Sequence, residues 1–146
     1  MAELAESGYL PFARERVFAL VADIERYPDF VPGYRASRIL GQRERRLQVE
    51  QVVGLGGLQF RFRSQAELDP PQAIRVHSAD FPFRELAIGW VFEPAGEGCR
   101  VTFRLTYRLL VPGFTRPTGF LLRSAASETL RAFQERAGQV YGDPIA

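Results

Sequence analysis

The chain has 146 residues, 46% of them apolar and 25% charged, with a net charge of +2. That length suits one domain over residues 1–146, burying about two-thirds of the surface its unfolded form exposes. The composition is too apolar for a disordered chain, and the charge is too small to announce a nucleic-acid protein, so DNA is not an expected partner.

All 19 basic residues are Arg, and neither Lys nor Asn occurs. Compositional bias explains that skew, although a cluster of guanidinium forks suits phosphate. One cysteine, Cys99, excludes an internal disulfide and a cysteine-rich metal site, and suits a reducing compartment. Met1 leads to Glu3 and Glu6 with no apolar signal core. No window approaches the roughly eighteen apolar residues of a membrane span. The expected location is the cytoplasm.

In chain order, a short strand is expected from Glu3 to Leu10, and Pro11 then opens a helix in which Val17, Phe18, Val21 and Ile24 recur at helical spacing. The segment Tyr27–Gly33, with two prolines and a glycine, reads as a second short helix or ordered turn. Six strands follow: Tyr34–Gln42, Arg45–Val53, Leu58–Asp69, Ala73–Ala79, Phe83–Glu93 and Arg100–Val111. Short Gly- and Pro-bearing turns separate them, which predicts antiparallel neighbours. Alternation is sharpest where Phe60, Phe62, Ala66 and Leu68 oppose Arg61, Arg63, Gln65 and Glu67, and where Val101, Phe103, Leu105 and Tyr107 oppose Thr102, Arg104, Thr106 and Arg108. After Pro112-Gly113 and a break at Arg116-Pro117, a helix is predicted from Thr118 to Tyr141, with Leu122, Ala126, Leu130, Phe133, Ala137 and Val140 as its inner stripe. Gly142-Asp143-Pro144 ends it.

Seven strands at ~4.8 Å spacing make a sheet roughly 29 Å wide, whereas a helix is only ~10–12 Å across. The sheet must curl around the helix. Small residues on that helix leave volume that aromatic side chains fill as a dry core or a ligand occupies. Either way the lining set is Phe60, Phe62, Ile88, Trp90, Phe92, Phe103, Leu105 and Tyr107 from the sheet, with Leu122, Ala126, Leu130 and Phe133 from the helix.

Tyr9-Leu10-Pro11-Phe12 followed by Val17–Gly33, with its Asp23-(x3)-Tyr27-Pro28-Asp29-Phe30-Val31-Pro32 stretch, resembles the opening of the coenzyme Q-binding, START-like family. Asp80-Phe81-Pro82-Phe83-Arg84-Glu85-Leu86 with Gly89-Trp90-Val91-Phe92 is similar to its central block, Phe81 standing where the family more usually has Gly. Cys99–Phe103 and Ala132–Ala137 with Val140-Tyr141 complete the likeness, which covers essentially the whole chain. The resemblance implies an α+β helix-grip fold: a curved antiparallel sheet of about seven strands around a long C-terminal helix, with two short helices after the first strand. It also implies a cavity for an apolar small molecule such as ubiquinone, in support of respiration. The same family contains the bacterial ribosome association toxin, so a ribosome-binding regulator is the alternative.

No catalytic constellation or metal site is legible. His77 shares a face with Arg75 and is read as exposed; Cys99 has no histidine near it in sequence. Gly54–Gly57 lacks the Lys and Ser/Thr of a phosphate loop. Tyr107, Ser64 and Ser78 are the polar residues that keep a cyclase-type enzyme open as a third reading. Binding needs no ion pair: each buried methylene contributes ~0.8 kcal/mol, so a ten-carbon prenyl segment offers roughly 8 kcal/mol before ordering costs. Tyr107 or Trp90 is the expected partner of a quinone carbonyl. The gate is expected at Leu55, Gly56, Val111, Phe114 and Phe120, and Arg116 and Arg123 beside it suit transient contact with a membrane surface. The outer sheet face carries Arg61, Arg63, Arg75, Arg104 and Arg108; four of these (Arg61, Arg63, Arg104, Arg108) are the expected ribosome contact, against the plainer reading of a salt-bridged solvated face shared with Glu50 and Glu67.

Overall fold

The computed structural model describes the backbone of residues 2–55, 57–110 and 115–142, and the side chains of 3–54, 57–110 and 124–142. In chain order β1 (Ala2–Leu10) is followed by α1 (Arg14–Ala22), a 3₁₀ segment (Ile24–Asp29), β2 (Tyr34–Arg43), β3 (Arg46–Leu55), β4 (Leu58–Asp69), β5 (Ala73–Ser78), β6 (Phe83–Ala95), β7 (Gly98–Leu109) and α2 (Thr115–Tyr141). The strands form one sheet in the order β1-β7-β6-β5-β4-β3-β2. Every neighbouring pair is antiparallel. From β2 to β7 each strand pairs with its sequence neighbour through a short turn, and only β1 reaches across to β7, where α1, the 3₁₀ segment and their turns supply the crossing.

Strand ends lie within about two residues of expectation, and the starts of both helices differ from it. Helix α1 begins at Arg14, not at Pro11, because Ala13 is extended (ψ 143°) and its carbonyl accepts the first helical bonds from Arg16 and Val17 at 3.0 and 3.2 Å. Helix α2 begins at Thr115, so Pro117 falls in its first turn, where the missing N–H leaves no intrahelical bond unmade. At the β6–β7 turn, Gly96 has a φ of +60°, and a Cβ on Gly98 would collide with the Tyr9 ring and the Leu10 carbonyl. Glycine is required there for β1 to lie close against the turn.

The interior is divided between a solid end and a hollow one. At the solid end α1 lays Val17, Phe18, Leu20 and Val21 against the sheet, and Phe18 meets Phe92 edge-on at 5.5 Å between centroids. Phe133 of α2 lies edge-on to Tyr27, Phe30 and Trp90 at 5.4, 5.0 and 5.1 Å. Polar ties fasten α2 to its neighbours: Ser127 Oγ donates to Glu6 Oε1 at 2.7 Å, Gln134 Nε2 to the Tyr9 carbonyl at 3.1 Å, and the Tyr141 hydroxyl to the Arg16 carbonyl at 2.7 Å. One turn nearer the start of α2 the inward residues shrink to Ala125, Ala126 and Thr129, and there the helix stands off the sheet.

Candidate functional site: a cavity in two chambers

The space under Ala125, Ala126 and Thr129 is a cavity in two chambers. The outer one, about 130 Å³, lies between α2 and the ends of β2, β3, β4, β6 and β7. The inner one, about 80 Å³, reaches toward Trp90 and Phe133. Four residues line both: Tyr34, Ile88, Phe103 and Thr129. A single water needs about 10–15 Å³ of such space, so the chambers have room for a ring and several methylene groups. Tyr27, Trp90 and Phe133 belong both to the aromatic cluster and to the wall of the inner chamber, and the filled part of the interior is the part that α1 covers.

Of the residues expected to line it, Phe60, Phe62, Leu105 and Ala126 stand on the outer wall, Trp90 and Phe133 on the inner wall, and Ile88 and Phe103 on both. Three expected positions fall elsewhere. Phe92 is covered by Phe18 and stacks on Trp90 at 6.4 Å, because α1 closes that part of the sheet. Leu130 turns toward β1, where its Cδ2 would be 3.2 Å from a Cβ on Gly8. Tyr107 is buried beside the edge strand, in register with Ala2 and Leu86, and contributes to neither wall. The side chains of Leu122, Leu55 and Phe120, and the positions Gly56, Val111 and Phe114, lie outside the described residues, as do the side chains of Arg116 and Arg123. On the described part of the outer rim, Leu58 and Phe81 are about half exposed (50% and 54%), with the Phe81 ring 6.4 Å from Phe60.

Among the described residues no Asp, Glu, Arg or His stands on either wall. The polar groups are neutral. Gln51 and Ser64 are buried in the inner wall, and Tyr34 and Thr129 stand where the chambers meet. Both buried polar residues occupy inward positions of alternating strands: Gln51 follows Leu47 and Val49 on β3, and Ser64 follows Phe60 and Phe62 on β4. A polar residue at an apolar position was the available signal, and for Gln51, Tyr34 and Thr129 it went unread. Burial pushes the Tyr34 phenol up to about 12, a hydrogen bond with Gln51 partly offsetting it. Burial likewise raises Tyr27, with the nearby Tyr34 and Asp23 adding to the effect.

Residues weighed for chemistry are dispersed. His77 is exposed on the outer face. Cys99 is fully buried, and burial holds its thiol up at about 11. Ser78 Oγ donates to the Arg63 carbonyl at 2.5 Å and accepts from the Asp80 N–H at 3.2 Å, which commits it to the end of β5. These raised values set an alkaline limit. Unfolded Cys99 and tyrosine release protons near 9.0 and 10.0, whereas folded Cys99 and Tyr34 hold theirs to about 11 and 12. The unfolded state therefore binds fewer protons in that window, and stability falls as pH rises through it. Urea midpoints should be level up to about pH 9 and decline above it, and Tyr34→Phe should make the decline shallower.

On the outer face Arg63 lies 3.6 Å from Glu50, Arg38 lies 3.5 Å from the same carboxylate, and Arg104 lies 2.9 Å from Glu3. Arg61, Arg75 and Arg108 form no ion pair among the described residues. Strand register sets Arg46, Glu67, Arg75, Gly89 and Arg104 in one row across five strands. The face is thus partly neutralised and partly free.

A family model described as "Polyketide cyclase / dehydrase and lipid transport" matches residues 10–135. The protein named ribosome association toxin RatA from Pseudomonas aeruginosa is 35% identical over 140 residues, covering 95% of this chain and 97% of that one. The protein named coenzyme Q-binding protein COQ10 homolog B, mitochondrial, from Xenopus laevis is 26% identical over 96% of this chain and 59% of its own length. Among solved structures, TTHA0849 from Thermus thermophilus superposes with a TM-score of 0.88 at 25% identity, over 97% of this chain and 100% of that one. The Zhui aromatase/cyclase from Streptomyces does so with 0.80 at 15% identity, over 97% and 98%, a likeness of fold alone. With this match, and with a helix gripped by a seven-stranded antiparallel sheet, the chain belongs to the polyketide cyclase / dehydrase and lipid transport family.

Proposed function

We propose that this chain holds an uncharged, largely apolar small molecule of the quinone-lipid class between α2 and the sheet, and releases it unchanged. The observation that carries the reading is a cavity whose described wall has no charged side chain. Such a wall favours transfer of apolar surface from water and has no ionic partner for an acid or a phosphate. Turnover needs a group that gains or loses a proton near neutrality, and the phenol at the waist is held protonated. A family described by lipid transport and a relative named as a coenzyme Q-binding protein support the same reading, with support of respiratory quinone function as the role. Mass spectrometry of organic extracts of the purified protein tests it: a co-purifying quinone near one per chain is expected. A ligand-free protein that takes up no short-tailed quinone would sink the proposal.

A second reading, a regulator that associates with the ribosome, is favoured by the name of the 35% identical relative and by the row of arginines on the outer face. It predicts that changing Arg61, Arg63, Arg104 and Arg108 together to Gln abolishes co-sedimentation with ribosomes while leaving extractable quinone unchanged. Since each phosphate contact adds to the salt dependence of such binding, wild-type co-sedimentation should also weaken steeply as salt rises. Failure of the four-fold variant to reduce co-sedimentation would remove the outer face from that role.

A further inference from the structure

We infer that Tyr34, Gln51, Ser64 and Thr129 form a head-group site at the waist of the cavity, where they hydrogen-bond a neutral carbonyl or hydroxyl of the ligand while its apolar remainder fills the outer chamber. The inference rests on the cavity-binding function proposed above and adds the polarity, orientation and charge of what is bound.

The four residues come from different elements and converge. Gly33, with a φ of +87°, turns the chain into β2, and its carbonyl accepts the Gly54 N–H at 2.7 Å; a Cβ there would stand 3.0 Å from the Gly54 oxygen. That tie aims Tyr34 inward, and Tyr27 holds its ring edge-on at 5.3 Å. Gln51 and Ser64 are partners across neighbouring strands, with Ser64 Oγ and the Gln51 amide 3.1 Å apart. Surroundings orient the amide: with its nitrogen toward the Val49 and Phe62 carbonyls, at 3.2 and 3.3 Å, both of its N–H groups are used. Thr129 donates its proton to the Ala125 carbonyl at 2.6 Å.

A tally of hydrogen-bonding capacity shows what is left over. After these internal bonds Gln51, Ser64 and Thr129 retain only lone pairs, and the Tyr34 hydroxyl is the one group of the four that can donate to a guest. The site thus offers a donor and several acceptors, all uncharged, inside an otherwise apolar wall. Buried polar groups demand partners. A ring hydroxyl placed there can donate to one of these acceptors and accept from Tyr34, a ring carbonyl can accept from Tyr34, and a carboxylate or phosphate would meet no cation. Geometry sets the direction of binding as well: polar end inward to the waist, apolar tail outward past Leu105 and Leu109.

The test compares a decyl-tailed benzoquinone with decylbenzene, which has the same tail and no carbonyl, each read by displacement of Nile red from the full chain. Wild type should bind the quinone roughly tenfold or more tightly than the hydrocarbon. In Tyr34→Phe, which removes the donor and keeps the ring against Tyr27, the ratio should fall to about threefold or less with the decylbenzene affinity unchanged. Ser64→Ala removes only an acceptor and should leave the ratio near its wild-type value, which separates loss of the Tyr34 donor from a general loosening of the pocket. Equal affinities in wild type, a ratio unchanged in Tyr34→Phe, or an equal fall in Ser64→Ala would overturn the head-group site and leave cavity binding standing. Binding of neither probe by wild type would overturn the proposed function itself.

Discussion

Phe133→Ala is expected to cost about 3–5 kcal/mol, the range for a buried aromatic cut back to a methyl group. Its ring is the hub of the solid end: Tyr27, Phe30 and Trp90 all present edges or faces to it within 5.4 Å. Two of those partners belong to the 3₁₀ segment and the residue after it, and the third to β6, so one side chain joins three elements that sequence separates widely. Around the vacated volume the rings of Tyr27 and Trp90 are pinned by further contacts, Tyr27 to Tyr34 at 5.3 Å and Trp90 to Phe103 at 4.7 Å. The hole therefore collapses only in part. Against a typical stability of about 5–15 kcal/mol, the variant should unfold at roughly 10–15 °C lower temperature. A loss below about 1 kcal/mol in urea titration would show that α2 does not anchor the sheet through this residue.

The second large effect concerns ligand, not stability. Ala126 is buried at 3% exposure, and its methyl group forms part of the outer wall. In Ala126→Phe the added ring has an adjoining space of about 130 Å³ to enter, so the usual overpacking cost of about 1–3 kcal/mol should be largely avoided. Ligand affinity should drop by roughly thirtyfold or more, because the ring occupies the volume a quinone ring or tail would take. Thermal melting within a few degrees of wild type, together with loss of quinone from organic extracts, is the expected pair of results. Retention of both fold and ligand would mean that the guest sits elsewhere. The reverse pattern separates this variant from Phe133→Ala, in which stability falls first.

Most of the architecture was legible because it depends on period and punctuation. Strand alternation over Leu58–Asp69 and Val101–Leu109 matches the burial of those strands, and Pro, Gly and Asp mark their ends. Boundaries that moved did so through local backbone chemistry that period does not record: an extended Ala13 delays α1, and Pro117 is tolerated in the first turn of α2. The lining of the cavity was legible by face but not by depth. Phe92 and Phe103 share the inward side of neighbouring strands, yet α1 covers the first and open space meets the second. That difference is decided by what crosses above the sheet, and alternation along a strand contains no term for it. Periodicity points to Tyr107 or Trp90 as the polar partner from their places in apolar stripes, whereas Tyr34, at the very start of β2 after the turn at Gly33, stands at the waist.

The division of the interior has a consequence for exchange of the guest. Side chains that interlock across three elements resist opening until the whole domain gives way, while a region roofed by Ala125, Ala126 and Thr129 has few such locks to break. Fluctuations that separate the first turns of α2 from the strand ends can therefore occur at a fraction of the global unfolding free energy. On the binding function proposed above, a molecule would leave through that loosened half while the other half keeps its register, so its release would not be limited by the lifetime of the native state.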